Sequence, residues 1–301
     1  MSVSAEIRPA QLPLPGGRPG ATVRLHPLLT GEVRVPPGLL ERPAGRFATL
    51  RGLGVGRSRR DWVWVPAPAF LVEHPGAGPI LVDTGMHPSV AIDPAQSFGR
   101  LAARLSGFRV RPDQAVTAQL RARGVDPRDV ALVVMTHLHT DHASGVSEFP
   151  QATFVLDGRE WEVAIRRGGA LRGYRTSQFD HGFDWWAVGF DGPEVESFAA
   201  FGQTLDLLGD GSIRLIATPG HTLGHQSVLL RLADREALLA GDAVYELRAI
   251  DGDVEPLFLQ DHHLFWRSVR EIRRYVERTP GALVIPGHDR DQWSTLEPVY
   301  G

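Results

Sequence analysis

Thr136-His137-Leu138-His139-Thr140-Asp141-His142 follows directly on an apolar run at residues 130–135. That run predicts a buried strand. The His-rich segment starts where the strand ends, which is where ligand-binding loops lie in α/β sheets. On extended backbone His137 and His139 project to the same side. Asp141 and His142 follow across a turn and can point at a neighbouring position. A His-X-His pair alone says little. Its weight comes from three further segments of the same build, each an apolar strand, a tight turn and then a His or Asp. Residues 213–217 run into Thr218-Pro219-Gly220-His221, residues 237–240 into Gly241-Asp242, and residues 282–285 into Pro286-Gly287-His288. Imidazole and carboxylate are the donors that zinc-like ions take when no thiolate is present. The set His137, His139, Asp141, His142, His221, Asp242 and His288 suits two divalent ions with open positions better than one closed structural site. Two ions roughly 3.5–4 Å apart can share a hydroxide that is nucleophilic near neutral pH. The motif therefore points to a metal-dependent hydrolase.

Composition narrows the chemistry. The chain has 301 residues, 43% of them hydrophobic, enough for one large domain or two ordinary ones. There is no cysteine, so disulfides, thiolate catalysis and Cys-ligated zinc are excluded. Every basic residue is Arg and none is Lys, which excludes Schiff-base chemistry. The net charge of -3 and the lack of a long basic run give no support to nucleic-acid or membrane partners. No run approaches the roughly 18 apolar residues of a membrane span. Residues 1–20, with Glu6, Arg8, four prolines and three glycines, do not read as a signal peptide. The expected location is cytoplasmic.

Those first residues read instead as a flexible or draped arm, followed by a single domain over 21–301. Residues 61–72 look like strand material broken by Pro66 and Pro68. Pro79 to Asp83 is a short strand ending in the polar turn Asp83-Thr84-Gly85. Helices are expected over 112–123, 159–167 and 261–277, and further strands over 154–156 and 226–232. Residues 168–204 look irregular and suit a pocket-covering insertion near 165–205. The mixture of strands and helices suggests a layered α/β fold. The remaining histidines (His26, His74, His87, His181, His225, His262, His263) read as caps, surface groups or core. Asp261-His262-His263 is a weaker candidate for lining the pocket.

The chain resembles the metallo-β-lactamase superfamily over about residues 60–295. The stretch Leu81-Val82-Asp83-Thr84-Gly85 and all four His/Asp segments carry the likeness. The resemblance implies a four-layer αβ/βα sandwich with the site between its halves. It implies one metal held by His137, His139 and His221, a second by Asp141, His142 and His288, and Asp242 bridging both. Zinc is the first expectation, with iron, cobalt or manganese as alternatives. Within the superfamily the chain looks most like the N-acyl-homoserine lactonases. Thr218 to Ser227 and Gly241-Asp242-Ala243-Val244-Tyr245 are the telling stretches, because such lactonases carry a Tyr three residues after the bridging Asp. Thr140 is a departure, since many lactonases have an aromatic residue there.

The reaction this implies is opening of a lactone ring by a metal-bridging hydroxide. Tyr245 would stabilise the oxyanion, and Asp141 would pass a proton to the leaving alkoxide. Candidates for receiving an acyl chain are Trp62, Trp64, Phe179, Phe183, Trp185 and Trp186, although burying such rings is also ordinary core behaviour. The partner expected is a small-molecule lactone. The first 60 residues offer a surface for a homodimer. A thioesterase of the glyoxalase II kind, an organophosphate or aryl-ester hydrolase, and a non-catalytic metal-binding protein are the competing readings.

Overall fold

The structure is a computed structural model and describes residues 4–301. Its strands fall into two sheets in chain order. The first contains β1 (Ile7–Pro9), β2 (Arg24–Val35), β3 (Val63–His74), β4 (Gly78–Val82), β5 (Gly107–Arg109), β6 (Leu132–Val134), β7 (Thr153–Asp157) and β8 (Asp184–Val188). The second contains β9 (Glu196–Phe198), β10 (Phe201–Asp206), β11 (Ile213–Ala217), β12 (Gln226–Arg231), β13 (Glu236–Gly241) and β14 (Leu283–Pro286). The spatial orders are β1-β8-β7-β6-β4-β3-β2-β5 and β14-β13-β12-β11-β10-β9.

Alternation along the strands builds the layers. Val82, Val134 and Val155 point between the sheets and meet Leu215, Val228 and Leu239 from the other side. Their neighbours Leu81, Val133 and Phe154 point outward and are covered by Leu120 and Trp161 from the helices Val116–Ala122 and Gly158–Ile165. On the far side Ile216, Leu229 and Leu238 are covered by Phe265, Val269, Ile272 and Tyr275 of the helix His262–Arg278. The result is the expected αβ/βα sandwich.

Topology places the site. β4, β6 and β7 are parallel neighbours, as are β13 and β14, and β11 runs in their direction because two antiparallel steps separate it from β13. The ends of β4, β6, β11, β13 and β14 that lead into the polar turns therefore gather at one rim of the sandwich.

Three local readings change. Pro66 and Pro68 do not break β3, which runs unbroken from Val63 to His74. Their missing N–H groups lie on the side away from β2, and pairing with β4 begins only at Phe70. The arm is draped rather than free: residues 1–3 lie outside the described residues, β1 pairs with β8, and Leu14 is buried in the inter-sheet core. The segment near 165–205 is not one irregular insertion. Its second half forms β8 within the first sheet and the start of the second sheet. Trp185 explains why β8 is built in, since its ring stacks at 4.6 Å on Phe154 and lies 5.2 Å from Trp161.

Candidate metal centre

Each rim loop delivers its donors through identifiable local bonding. His139 starts a short helix, Thr140–Ala143, so Asp141 and His142 sit on its first turn. Gln226 donates from its backbone to Thr136 O at 3.0 Å and from its side chain to Met135 O at 2.9 Å. These bonds tie the His-rich loop of one sheet to the other. Gly287 and His288 donate backbone N–H groups to Val244 O and Tyr245 O. Gly287 has to be glycine for space, because a Cβ there would lie 2.2 Å from Asp242 Oδ1.

The donors converge into two adjoining groups. His137, His139, His221 and Asp242 form one, and Asp141, His142 and His288 the other; within each, the ligand atoms lie within 4.8 Å of one another. Asp242 stands between them. Its Oδ2 is 3.2 Å from His221 Nε2, 3.8 Å from His137 Nε2 and 3.3 Å from His288 Nε2, while its Oδ1 is 3.3 Å from His142 Nε2. Asp141 Oδ2 lies 3.6 Å from His288 Nε2. All seven sequence-derived donors are thus brought together.

The far nitrogens fix the near ones. His142 Nδ1 is 2.8 Å from Asp83 Oδ2, and His288 Nδ1 donates to Pro66 O at 2.9 Å. Such bonds occupy Nδ1 and leave Nε2 as the nitrogen that faces the centre and would bind an ion. Asp83 also accepts from Thr136 N and Thr136 Oγ1, both at 2.7 Å, and it adopts φ 58 to do so. That backbone conformation is uncommon for a non-glycine residue and is held by the surrounding bonds. His225 accepts the Asp242 backbone N–H at 3.0 Å and so positions the central carboxylate.

The fit to metal ions rests on the donors themselves. Buried His137 Nε2, His142 Nε2 and Asp242 Oδ1 have no hydrogen-bond partner among the described residues. Unsatisfied buried polar atoms are costly, and these converge on one point. Burial drives the His137, His139 and His221 imidazoles below their ordinary range, keeping them neutral as ligands must be. For His288 burial acts downward too, but the Asp242 and Asp141 carboxylates prevail and raise it to about 9. Burial opposes ionisation of Asp242, yet His288, His142 and His221 hold it well below the usual carboxylate range.

Tyr245 lies over this centre. Its Oη is 3.2 Å from His221 Nδ1, and its ring is 5.5 Å from His221 and 5.1 Å from His288. Burial, Asp242 and Asp141 push its phenol well above 10, so it keeps its proton.

A buried clamp sits behind the centre. Glu160 Oε1 accepts the Leu138 N–H at 3.0 Å, between two donors. Gln260 Nε2 donates to Tyr174 Oη at 2.8 Å, and its Oε1 accepts the Leu223 N–H at 3.2 Å. Burial raises Glu160 to about 7. Gly173 (φ 95) packs flat against His139, where a Cβ would be 2.8 Å from the ring, and its carbonyl accepts from Thr140 Oγ1. Thr140 thus anchors the one stretch of the 165–205 segment that does reach the site.

Glu160, Tyr174, Gln260, Asp83 and His225 had no assigned role in the sequence. For Asp83 and His225 the signal was present, since both lie in the stretches that carry the family likeness. The Asp261-His262-His263 candidate is not at the centre: Asp261 caps its helix through Leu264 N, and His262 pairs with Glu255. Phe179, Phe183, Trp185 and Trp186 pack in or against the cores rather than at the site.

The metallo-beta-lactamase superfamily profile matches residues 62–288. The chain belongs to this superfamily. It is 36% identical over 243 residues to the N-acyl homoserine lactonase AttM of Azorhizobium caulinodans, covering 79% of this chain and 87% of the other. A solved N-acyl homoserine lactone hydrolase with N-hexanoyl-L-homoserine at its catalytic metal centre superposes with a TM-score of 0.74 at 22% identity, over 93% of this chain and all (100%) of that one. AidC, described as a dizinc quorum-quenching lactonase, superposes with a TM-score of 0.60 at 14% identity, over 92% of this chain and 90% of that one. Among the described residues, no helix of this superfamily member is long and apolar enough to cross a membrane.

Proposed function

We propose that the chain is a two-metal lactonase that opens N-acyl-homoserine lactones, a quorum-quenching activity, with zinc as the working ion. The observation that carries this is Tyr245, a protonated phenol held over two adjoining donor groups with Asp242 between them. His137, His139 and His221 would hold one ion, Asp141, His142 and His288 the other, with Asp242 serving both. When bound, two such ions supply Lewis acidity and acidify a water to near neutral pH. The chain's own groups do the rest. Tyr245 donates its O–H to the ester oxygen as negative charge grows there. Asp141, partly open to solvent at 22% side-chain exposure, takes up the proton released as the water attacks and hands it to the departing alkoxide. Tyr245 also borders the cluster containing Met86, Val33, Phe98 and Phe108, an apolar wall suited to an acyl chain. Phe179, Phe183, Trp185 and Trp186, by contrast, pack in or against the cores.

The test compares an acyl-homoserine lactone, a thioester and an aryl phosphotriester, with and without chelator. The lactone should turn over fastest, and chelation should abolish all turnover. A faster thioester or phosphotriester reassigns the substrate. Full turnover with no bound metal overturns the site.

A further inference from the structure

The segment 42–60 holds Arg42, Arg46, Arg51, Arg57, Arg59 and Arg60 and no acidic residue. The chain's net charge of -3 conceals this local concentration. All six arginines are exposed, and among the described residues only Arg42 meets a carboxylate, Glu255 at 3.5 Å. Interleaved with them are four large apolar side chains that face solvent: Phe47 at 59% exposure, Leu50 at 51%, Leu53 at 44% and Val55 at 59%. The face continues onto the helix Arg100–Leu105. Arg59 donates to Arg104 O at 2.8 Å there, and Leu101 is 71% exposed. Isolated apolar residues at a surface need no explanation, but a cluster set among unpaired cations does.

The segment is anchored beside the substrate wall. Leu257 N–H donates to Leu39 O at 3.0 Å and Arg42 N–H to Glu255 O at 2.7 Å. Leu40, just before it, belongs to the cluster that Tyr245 borders.

We infer that this face docks on the anionic surface of a lipid bilayer, with Phe47, Leu50, Leu53 and Val55 entering the headgroup boundary and the arginines meeting lipid phosphates. Apolar side chains set in a cationic rim are the composition of an interfacial anchor. A second copy of the chain would set one arginine-rich segment against another, with Glu41 and Asp61 at its ends as the nearest acidic residues in sequence to offset them. Docking would bring the apolar wall beside Tyr245 close to the bilayer, where amphiphilic acyl lactones partition. That last consequence rests on the lactonase reading; the docking itself does not.

The test is vesicle co-sedimentation of the metal-loaded full chain, which reads mass rather than turnover and so stands or falls apart from the substrate assignment. The protein should pellet with vesicles of phosphatidylglycerol mixed equally with phosphatidylcholine, and not with phosphatidylcholine alone. Raising salt from low to about 0.5 M should release most of it. The triple variant Arg46→Glu, Arg57→Glu, Arg60→Glu should bind at least roughly tenfold more weakly while keeping its lactonase rate in solution. The wild-type salt titration keeps the proposal testable should that variant fold poorly. Wild-type protein left in the supernatant at low salt overturns the proposal. So does a wild-type dimer, seen by sedimentation velocity, that the triple variant converts to monomer.

Discussion

Single atoms carry the proposed chemistry at Tyr245 and His142. Tyr245→Phe removes one donor at the point where charge develops and should lower kcat by about 10²-fold while leaving bound metal unchanged, as steady-state kinetics and metal analysis would show. Asp83→Asn weakens the partner that orients His142 and should lower metal affinity about 10–100-fold, measured by competition with a chelator. Titration gives a third expectation. His288 is raised from 6.5 to about 9, so its stabilising charge in the metal-free protein is complete below 6.5 and lost as pH rises through 9. His137, His139 and His221 are depressed, so the unfolded chain binds more protons than the native one below 6.5, and stability falls there too. The melting temperature of the chelator-treated protein should therefore peak near about 6.5 and fall as pH rises from there towards 9. The alkaline fall should vanish once metal replaces the proton, as melting followed by circular dichroism would reveal. At this scale the sequence was highly legible, because donor identity and spacing are local. The positioning groups were not, because a buried Glu160 reads like any helix glutamate until Leu138 is folded onto it.

Elements explain where the reading of the aromatic residues went astray. Trp185-Trp186 sits amid Gly and Asp and reads as a loop, yet pairing with β7 and β1 makes it a strand and buries Trp185. Periodicity over so short a stretch cannot reveal pairing with residues that are distant in sequence. Trp185→Ala should cost about 3–5 kcal/mol of stability in denaturant unfolding, yet leave the ratio of rates across acyl-chain lengths unchanged. An altered ratio would return that ring to the pocket. The clamp behind the centre makes a parallel case. Glu160→Ala leaves the Leu138 N–H buried without an acceptor and should cost about 1–3 kcal/mol, detectable as an earlier unfolding midpoint. Strands and helices with clear periodicity were placed well, including the helix capped by Asp261. The misread segments were those whose structure depends on a tertiary partner.

The whole molecule separates in chain order. Every strand of the first sheet precedes every strand of the second, and the exposed turn around 191–194 marks the junction. The donors divide there as well: His137, His139, Asp141 and His142 come before it, and His221, Asp242 and His288 after it. Neither half can complete a metal site alone. Bound ions would therefore clasp two otherwise contiguous pieces of chain, which are held also by the inter-sheet core and by the buried His74–Asp210 contact at 3.0 Å. Ions bound only by the native arrangement stabilise it by mass action. A backbone cut in the turn should leave an enzyme whose two fragments stay together with metal present, separate more readily when it is stripped, and regain activity only when both fragments and metal are mixed. In that form the protein would report free metal through the joining of its own halves.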